Sequence, residues 1–259
     1  MKKIILILFL FLSCYLIYNL TEDNKVSYLA LGDKIADNPY LEDNEKIIEY
    51  NNDYTNNDYR IIDLINIIKY NEELEINDKI ISIHRLLKNA DIIILSIGMN
   101  DIYYKLNSDT KNIYTYINNM VRDMNILLKE IDKYNYKHVF ILGYYNIYGN
   151  YNDIFEYLNY KIEKITKKYN YEYIKLNDIL KNNPNFYQNN TNFALNNQGY
   201  NEINKIIVEK LEKYWYNIKC IYYYDLYLSW RKEIEYEKEY TSKLCWSYCN
   251  MCLRKYIHN

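Results

Sequence analysis

The sequence predicts an α/β fold, a three-layer α/β/α arrangement with a five-stranded parallel sheet between two layers of helices. Two observations lead there. Within the stretch from Asp91 to Asp101, Ile92 to Leu95 form a continuous β-branched and apolar run, stopped by Gly98, Asn100 and Asp101, the pattern of a strand buried on both faces. Similar runs recur along the chain in alternation with amphipathic segments, without hairpin signals between them, which calls for a parallel sheet with right-handed helical crossovers.

The elements follow in order. Val26 to Leu31 reads as the first strand, ended by Gly32 and Asp33, and Lys46 to Tyr50 as a short second strand. Arg60 to Tyr70 carries Ile61, Leu64, Ile65 and Ile68 at helical spacing. Ile83 to Lys88 is a short helix leading into the central strand, and Ser108 is placed to cap a long helix reaching Tyr134. Lys137 to Leu142 is a further buried strand closed by Gly143. Asp153 to Tyr169 is amphipathic, Tyr171 to Leu176 is a fifth strand, and Asn201 to Trp215 is the last helix. In such sheets ligands bind outside the carboxyl ends of the strands, which points to Gly32, Asp33, Gly98, Asn100 and Asp101 as crevice residues.

Composition narrows the function classes. At 259 residues and 49% hydrophobic content the chain can bury a full α/β core with something smaller beside it. The charges nearly cancel, 32 Lys and Arg against 34 Asp and Glu, and no basic stripe stands out, so no nucleic-acid partner is expected. The 35 tyrosines, with only five glycines and two prolines, match the codon bias of an AT-rich bacterial genome, a mutational origin for most of the aromatic excess.

Both ends differ from the middle. Lys2 and Lys3 precede an apolar run from Ile4 to Tyr18, followed by Thr21-Glu22-Asp23, which makes residues 1–20 a signal peptide or membrane anchor with the domain on the extracytoplasmic side. An uncleaved anchor, a lipoprotein lipidated at Cys14 and ordinary cleavage all fit that pattern. Residues 216–259 form a Tyr- and Cys-rich extension in which Cys245, Cys249 and Cys252 are spaced Cys-x3-Cys-x2-Cys. That spacing resembles the iron–sulfur motif of radical S-adenosylmethionine enzymes, yet only seven residues follow Cys252, where those enzymes need a barrel. A disulfide or metal clip and an incidental tail are the other readings. No cofactor is expected.

Three blocks carry a family resemblance. Leu29-Ala30-Leu31-Gly32-Asp33 resembles the opening block of the SGNH (GDSL) hydrolases. Ile97-Gly98-Met99-Asn100-Asp101 matches their Gly-x-Asn-Asp block, and Leu195-Asn196-Asn197-Gln198-Gly199-Tyr200 resembles the segment after their catalytic His. The blocks come in the family's order, span about residues 26–215, and contain three of the five glycines. The resemblance implies a flavodoxin-like α/β/α domain over that range and an ester-hydrolase ancestry.

Carried over position by position, the same resemblance implies an impaired site. The nucleophilic Ser would follow Gly32-Asp33, where this chain has Lys34; the Asp and His of the last block would fall at Thr191 and Ala194. Of the oxyanion-hole positions, Asn100 with Gly98 is retained, and alignment through Tyr59-Arg60 puts Asp58 at the remaining one. Triad members act as a unit, so this loss removes most of the expected acceleration. His84 and His138 read as structural or surface residues. Lys34 beside Asp33, Asp58 and Asp101 favours its charged form, which disfavours it as a nucleophile. It is expected either to pair with Asp58 or Asp101 across the former oxyanion hole or to be a drifted surface residue. Asn100 and Asp101 then tie neighbouring loops, with Asn196 near the same crevice. Two functions compete: a non-catalytic surface protein binding an envelope carbohydrate, an acylated ligand or a protein, and an ester hydrolase with a non-standard site.

Overall fold

The computed structural model describes residues 26–33, 35–36, 48–56, 58–76, 79–134, 138–146, 150–180, 183–187, 195–211 and 213. These fall into two compact units divided between Asn204 and Lys205.

The first unit is built on five parallel strands: β1 (Val26–Gly32), β2 (Ile48–Thr55), β5 (Ile92–Ser96), β6 (His138–Leu142) and β7 (Glu172–Ile174). They lie in the order β2-β1-β5-β6-β7, the doubly wound, flavodoxin-like order, and every pairing is parallel. The central strand is apolar throughout because it has no solvent face: Ile92 to Leu95 are at most 1% exposed. Burying each of these side chains stabilises the fold by roughly 2 kcal/mol.

Helices α1 (Ile61–Tyr70), α4 (Ile113–Asp132) and α5 (Asn152–Thr166) lie side by side in one layer. Each buries a stripe at helical spacing, in α1 Ile61, Leu64, Ile65 and Ile68, and in α4 Ile117, Met120, Met124, Leu127 and Ile131. α1 starts where the Arg60 amide donates to Asp63 Oδ2 at 2.9 Å, and ends at Asn71 in the left-handed conformation. The short helices are α2 (Ile83–Asn89), capped by Ser82 Oγ, then α3 (Met99–Ser108) and α6 (Leu176–Leu180). Residues 197–211 are helical. Among the described residues no helix is long and apolar enough to cross a membrane, and residues 1–25 lie outside them.

Three expectations are corrected. A hairpin is present: β3 (Glu73–Ile76) and β4 (Lys79–Ser82) pair antiparallel between α1 and α2. The connecting pair Asn77-Asp78 is a weak local signal without the glycine that marks most two-residue turns. Ser108 does not cap the long helix. It is the last residue of α3, where its hydroxyl donates to the Lys105 carbonyl, and α4 begins after Asn112. The polar start of α3 hides the spacing of its buried Met99, Ile102, Tyr103 and Leu106. Finally, β2 extends to Thr55, since backbone pairing with β1 holds a polar Asn/Asp/Tyr stretch in the sheet that side-chain pattern alone reads as loop.

Candidate functional site

The register brings three strand ends level. Gly32 at the end of β1 sits opposite Thr55 of β2 and Ser96 of β5. The path from β1 runs to β2 at one edge and then crosses back to β5, so the gap between β1 and β5 is the switch point where α/β sheets bind ligands. Asp33, Asn56 and Ile97 are the residues that directly follow these strand ends.

Two glycines make the loops possible. Gly32 has φ +98°, and a Cβ there would collide with the Ser96 carbonyl, which accepts the Asp33 amide. Gly98, at φ +101°, caps α3; a Cβ would stand 2.6 Å from Tyr144 Oη and 3.1 Å from Ile61 Cδ1. Tyr144 in turn donates to the Ile97 carbonyl at 2.9 Å. Burial, reinforced by Tyr173, Asp101 and Asp33, pushes its phenol well above the usual range and keeps it a neutral donor.

The Asn-Asp pair ties the loops. Asn100 Nδ2 donates to the Tyr59 carbonyl at 3.0 Å. The Asp101 carboxylate accepts from the Ile61 amide and from Arg60 Nε, both at 3.0 Å, which fastens the start of α3 to the start of α1. Burial pushes the Asp101 carboxyl up, against the downward pull of the Ile61 amide and the Arg60 charge. Arg60 Nη2 also reaches Tyr116 Oη at 3.3 Å, and its guanidinium lies 5.8 Å from the centre of the Tyr104 ring.

Asp33 stands apart. It is 3% exposed, and both carboxyl oxygens are enclosed without a hydrogen-bond partner among the described residues. Burial pushes its carboxyl well above the ordinary carboxylate range. The Met99 amide pulls the other way without closing a hydrogen bond, and the Asp101 charge adds to the rise.

Of the other sequence-picked residues, some are described and the rest lie outside the described set. Asp58 is exposed, its amide bonded to Asn56 Oδ1 at 3.0 Å. Asn196 starts the helical run 197–211: its Oδ1 accepts the Gln198 and Gly199 amides at 2.9 and 3.1 Å, and its Nδ2 donates to the Tyr187 carbonyl at 3.1 Å. His84 packs on Tyr134, its Nε2 2.6 Å from the Ile68 carbonyl, and His138 opens β6 at the end of the sheet away from the crevice. Lys34, Thr191, Ala194, Cys245, Cys249 and Cys252 lie outside the described residues. Among the described residues no group of three His, Cys, Asp or Glu is placed to hold a metal. Sequence reasoning missed Arg60, Tyr104 and Tyr144. For Arg60 a signal existed, its place at the start of a helix directly after the aligned Tyr59; for the two tyrosines there was none among so many.

No protein-family model and no curated protein matches the chain. Solved structures do. A lipase, Lip_vut3, from a goat rumen metagenome aligns with TM-score 0.57 at 13% identity, over 71% of this chain and 97% of the lipase. Axe2, an acetylxylan esterase from Geobacillus stearothermophilus, aligns with TM-score 0.54 at 14% identity, over 74% of this chain and 96% of Axe2. A mutant of Axe2, described as an acetyl-xylooligosaccharide esterase, gives the same TM-score at 13% identity. With its 2-1-3-4-5 parallel sheet and its glycine-bounded loops at the switch point, the chain has the SGNH-hydrolase fold shared by this lipase and this esterase.

Proposed function

We propose that the chain is a binding protein of the cell envelope on an esterase fold, taking a carbohydrate or acylated ligand at the crevice between β1 and β5 without Ser–His–Asp catalysis. The observation that carries this reading is Lys34 at the position after Gly32-Asp33, with Thr191 and Ala194 at the other two triad positions. An alkylammonium supplies neither the hydroxyl nor the base–orienter pair that acyl transfer on this fold uses. The tying of Asn100 to the Tyr59 carbonyl and of Asp101 to Arg60 and Ile61 supports a structural role for the retained block. The choice of ligand class is supported by the neighbours in fold, a lipase and esterases of acetylated xylan and xylo-oligosaccharide. Residues 1–20 supply the membrane attachment, residues 26–215 the binding domain, and residues 216–259 an extension without a role in this reading.

A second reading, an ester hydrolase with a non-standard site, is favoured by the Asn100 amide retained at the end of β5. One experiment separates the two. The full-length protein, extracted with detergent from a membrane fraction, is assayed with p-nitrophenyl acetate and butyrate, and turnover no faster than the buffer rate is expected. Turnover above background that disappears in Asn100→Ala establishes the second reading, and recovery of the protein only in the soluble fraction refutes the anchoring.

A further inference from the structure

The side of the crevice formed by α1 and α3 carries an arrangement that the triad positions do not explain. Tyr104 is 68% exposed, although it lies in a short helix whose other aromatic, Tyr103, is buried. The Arg60 guanidinium lies over one face of its ring at cation–π range, 5.8 Å from the ring centre. That guanidinium is fixed in turn by the buried Asp101 carboxylate at 3.0 Å and by Tyr116 Oη at 3.3 Å. The Tyr116 hydroxyl closes the network by donating to the Asp101 carbonyl at 3.1 Å. Tyr104 is therefore a ring held from behind, with its remaining surface in solvent. Tyr70, also 68% exposed, has a cation over its ring as well, the Lys69 ammonium at 5.6 Å, but among the described residues no carboxylate fixes Lys69 as Asp101 fixes Arg60.

We propose that Tyr104, backed by Arg60, is a stacking platform for a neutral pyranose ring of an oligosaccharide. The C–H bonds on one face of a pyranose carry partial positive charge and pack on the electron-rich face of an aromatic ring. Arg60 has five N–H donors, and Nε and Nη2 are the nitrogens engaged with Asp101 and Tyr116, which leaves further donors on the same guanidinium for sugar hydroxyls. Its charge is neutralised by Asp101, so the platform has little net field to select an acidic sugar over a neutral one. Asn100 and Tyr104 are four residues apart in α3 and so share one helix face, with Cβ atoms about 5–6 Å apart. A ring stacked on Tyr104 thus lies one helical turn from the crevice. The inference names the ligand class for the site proposed above and rests on that reading for its choice of carbohydrate.

The test is a calorimetric titration of the full-length protein with xylotetraose and chitotetraose, neither carrying an ester, and with tetragalacturonate as the acidic comparison. A neutral tetrasaccharide is expected to bind with a dissociation constant below roughly 1 mM, in the range open to one stacked ring and a few hydrogen bonds. Tyr104→Ala is expected to weaken it at least tenfold, Tyr104→Phe to stay within twofold, and Tyr160→Ala, a change at another exposed tyrosine, to leave it unaltered. Saturable binding of neither neutral sugar overturns the proposal. So does wild-type affinity in Tyr104→Ala, an equal loss in Tyr160→Ala, or a preference for tetragalacturonate that salt abolishes. Hydrolysis of the nitrophenyl esters would refute the non-catalytic reading and leave this test intact, since it scores only sugars without an ester.

Discussion

Replacing Asp33 by Asn is expected to stabilise the protein at pH 7 and to leave it nearly unchanged at pH 4. Asp33 is 3% exposed, with both oxygens enclosed and unpartnered among the described residues, and burial holds its carboxyl well above the ordinary range. In the unfolded chain the same group titrates near ~3.9. Between that value and the raised folded one, the folded protein holds a proton that the unfolded chain has released. The contribution to stability is therefore complete below pH ~3.9 and is lost as pH rises, by about 1.36 kcal/mol per pH unit. At pH 7 the loss is at most about 4 kcal/mol, the linkage limit for a group that stays protonated throughout. Asn keeps the shape and has no proton to release, but its buried amide lacks acceptors, a penalty of about 1–3 kcal/mol that the carboxyl's own unpaired hydroxyl partly matches. A net gain at pH 7 that shrinks to nearly nothing at pH 4 is the expected outcome. Urea unfolding of both proteins from pH 4 to pH 7 reads it directly, as a midpoint higher in Asp33→Asn at pH 7 by an amount that falls away toward pH 4. A difference between the proteins that stays flat with pH, or an Asp33→Asn protein less stable at pH 7, would refute the reasoning.

Two further changes probe the loops around the crevice. Asp101→Ala leaves the Ile61 amide buried without its acceptor and frees the half-exposed Arg60, for a loss of about 2–3 kcal/mol, read as a melting temperature lower by roughly 5–10 °C. Asp101→Asn, which keeps an acceptor, should lose less than half of that, and equal losses would count against the hydrogen bond as the cause. Gly98→Ala forces an L side chain to φ +101° with its Cβ against Tyr144 and Ile61, and is expected to cost about 2–4 kcal/mol. A melting temperature within 1 °C of the parent would show that the turn relaxes freely.

The strand ends were legible because their markers are local. Gly32-Asp33 and Gly98-Met99-Asn100-Asp101 each end an apolar run, and a strand end is visible in a dozen residues. The bonding that organises the crevice was not. Arg60 and Asp101 are 41 residues apart and meet because the β1–β2 and β1–β5 registers set Thr55, Gly32 and Ser96 level. Nothing at either residue announces the other. The same holds for Asp33: its sequence neighbours show that it ends a strand, while its lack of a partner among the described residues depends on where Met99 and Asp101 come to rest.

Fold class and the five strands are local properties of the sequence, since a residue's preference for a buried strand or an amphipathic helix depends on its own side chain and on neighbours a few positions away. The sequence also determined that Lys34, Thr191 and Ala194 stand where the resemblance expects a triad. Only the tertiary structure decided the polar extent of β2, the β3–β4 hairpin and the break between α3 and α4. It also decided which charges were satisfied, giving Asp101 two donors and Asp33 none among the described residues. Hydrogen bonds and burial are properties of pairs and enclosures, and chain folding brings distant residues into them through strand register, which no single segment encodes.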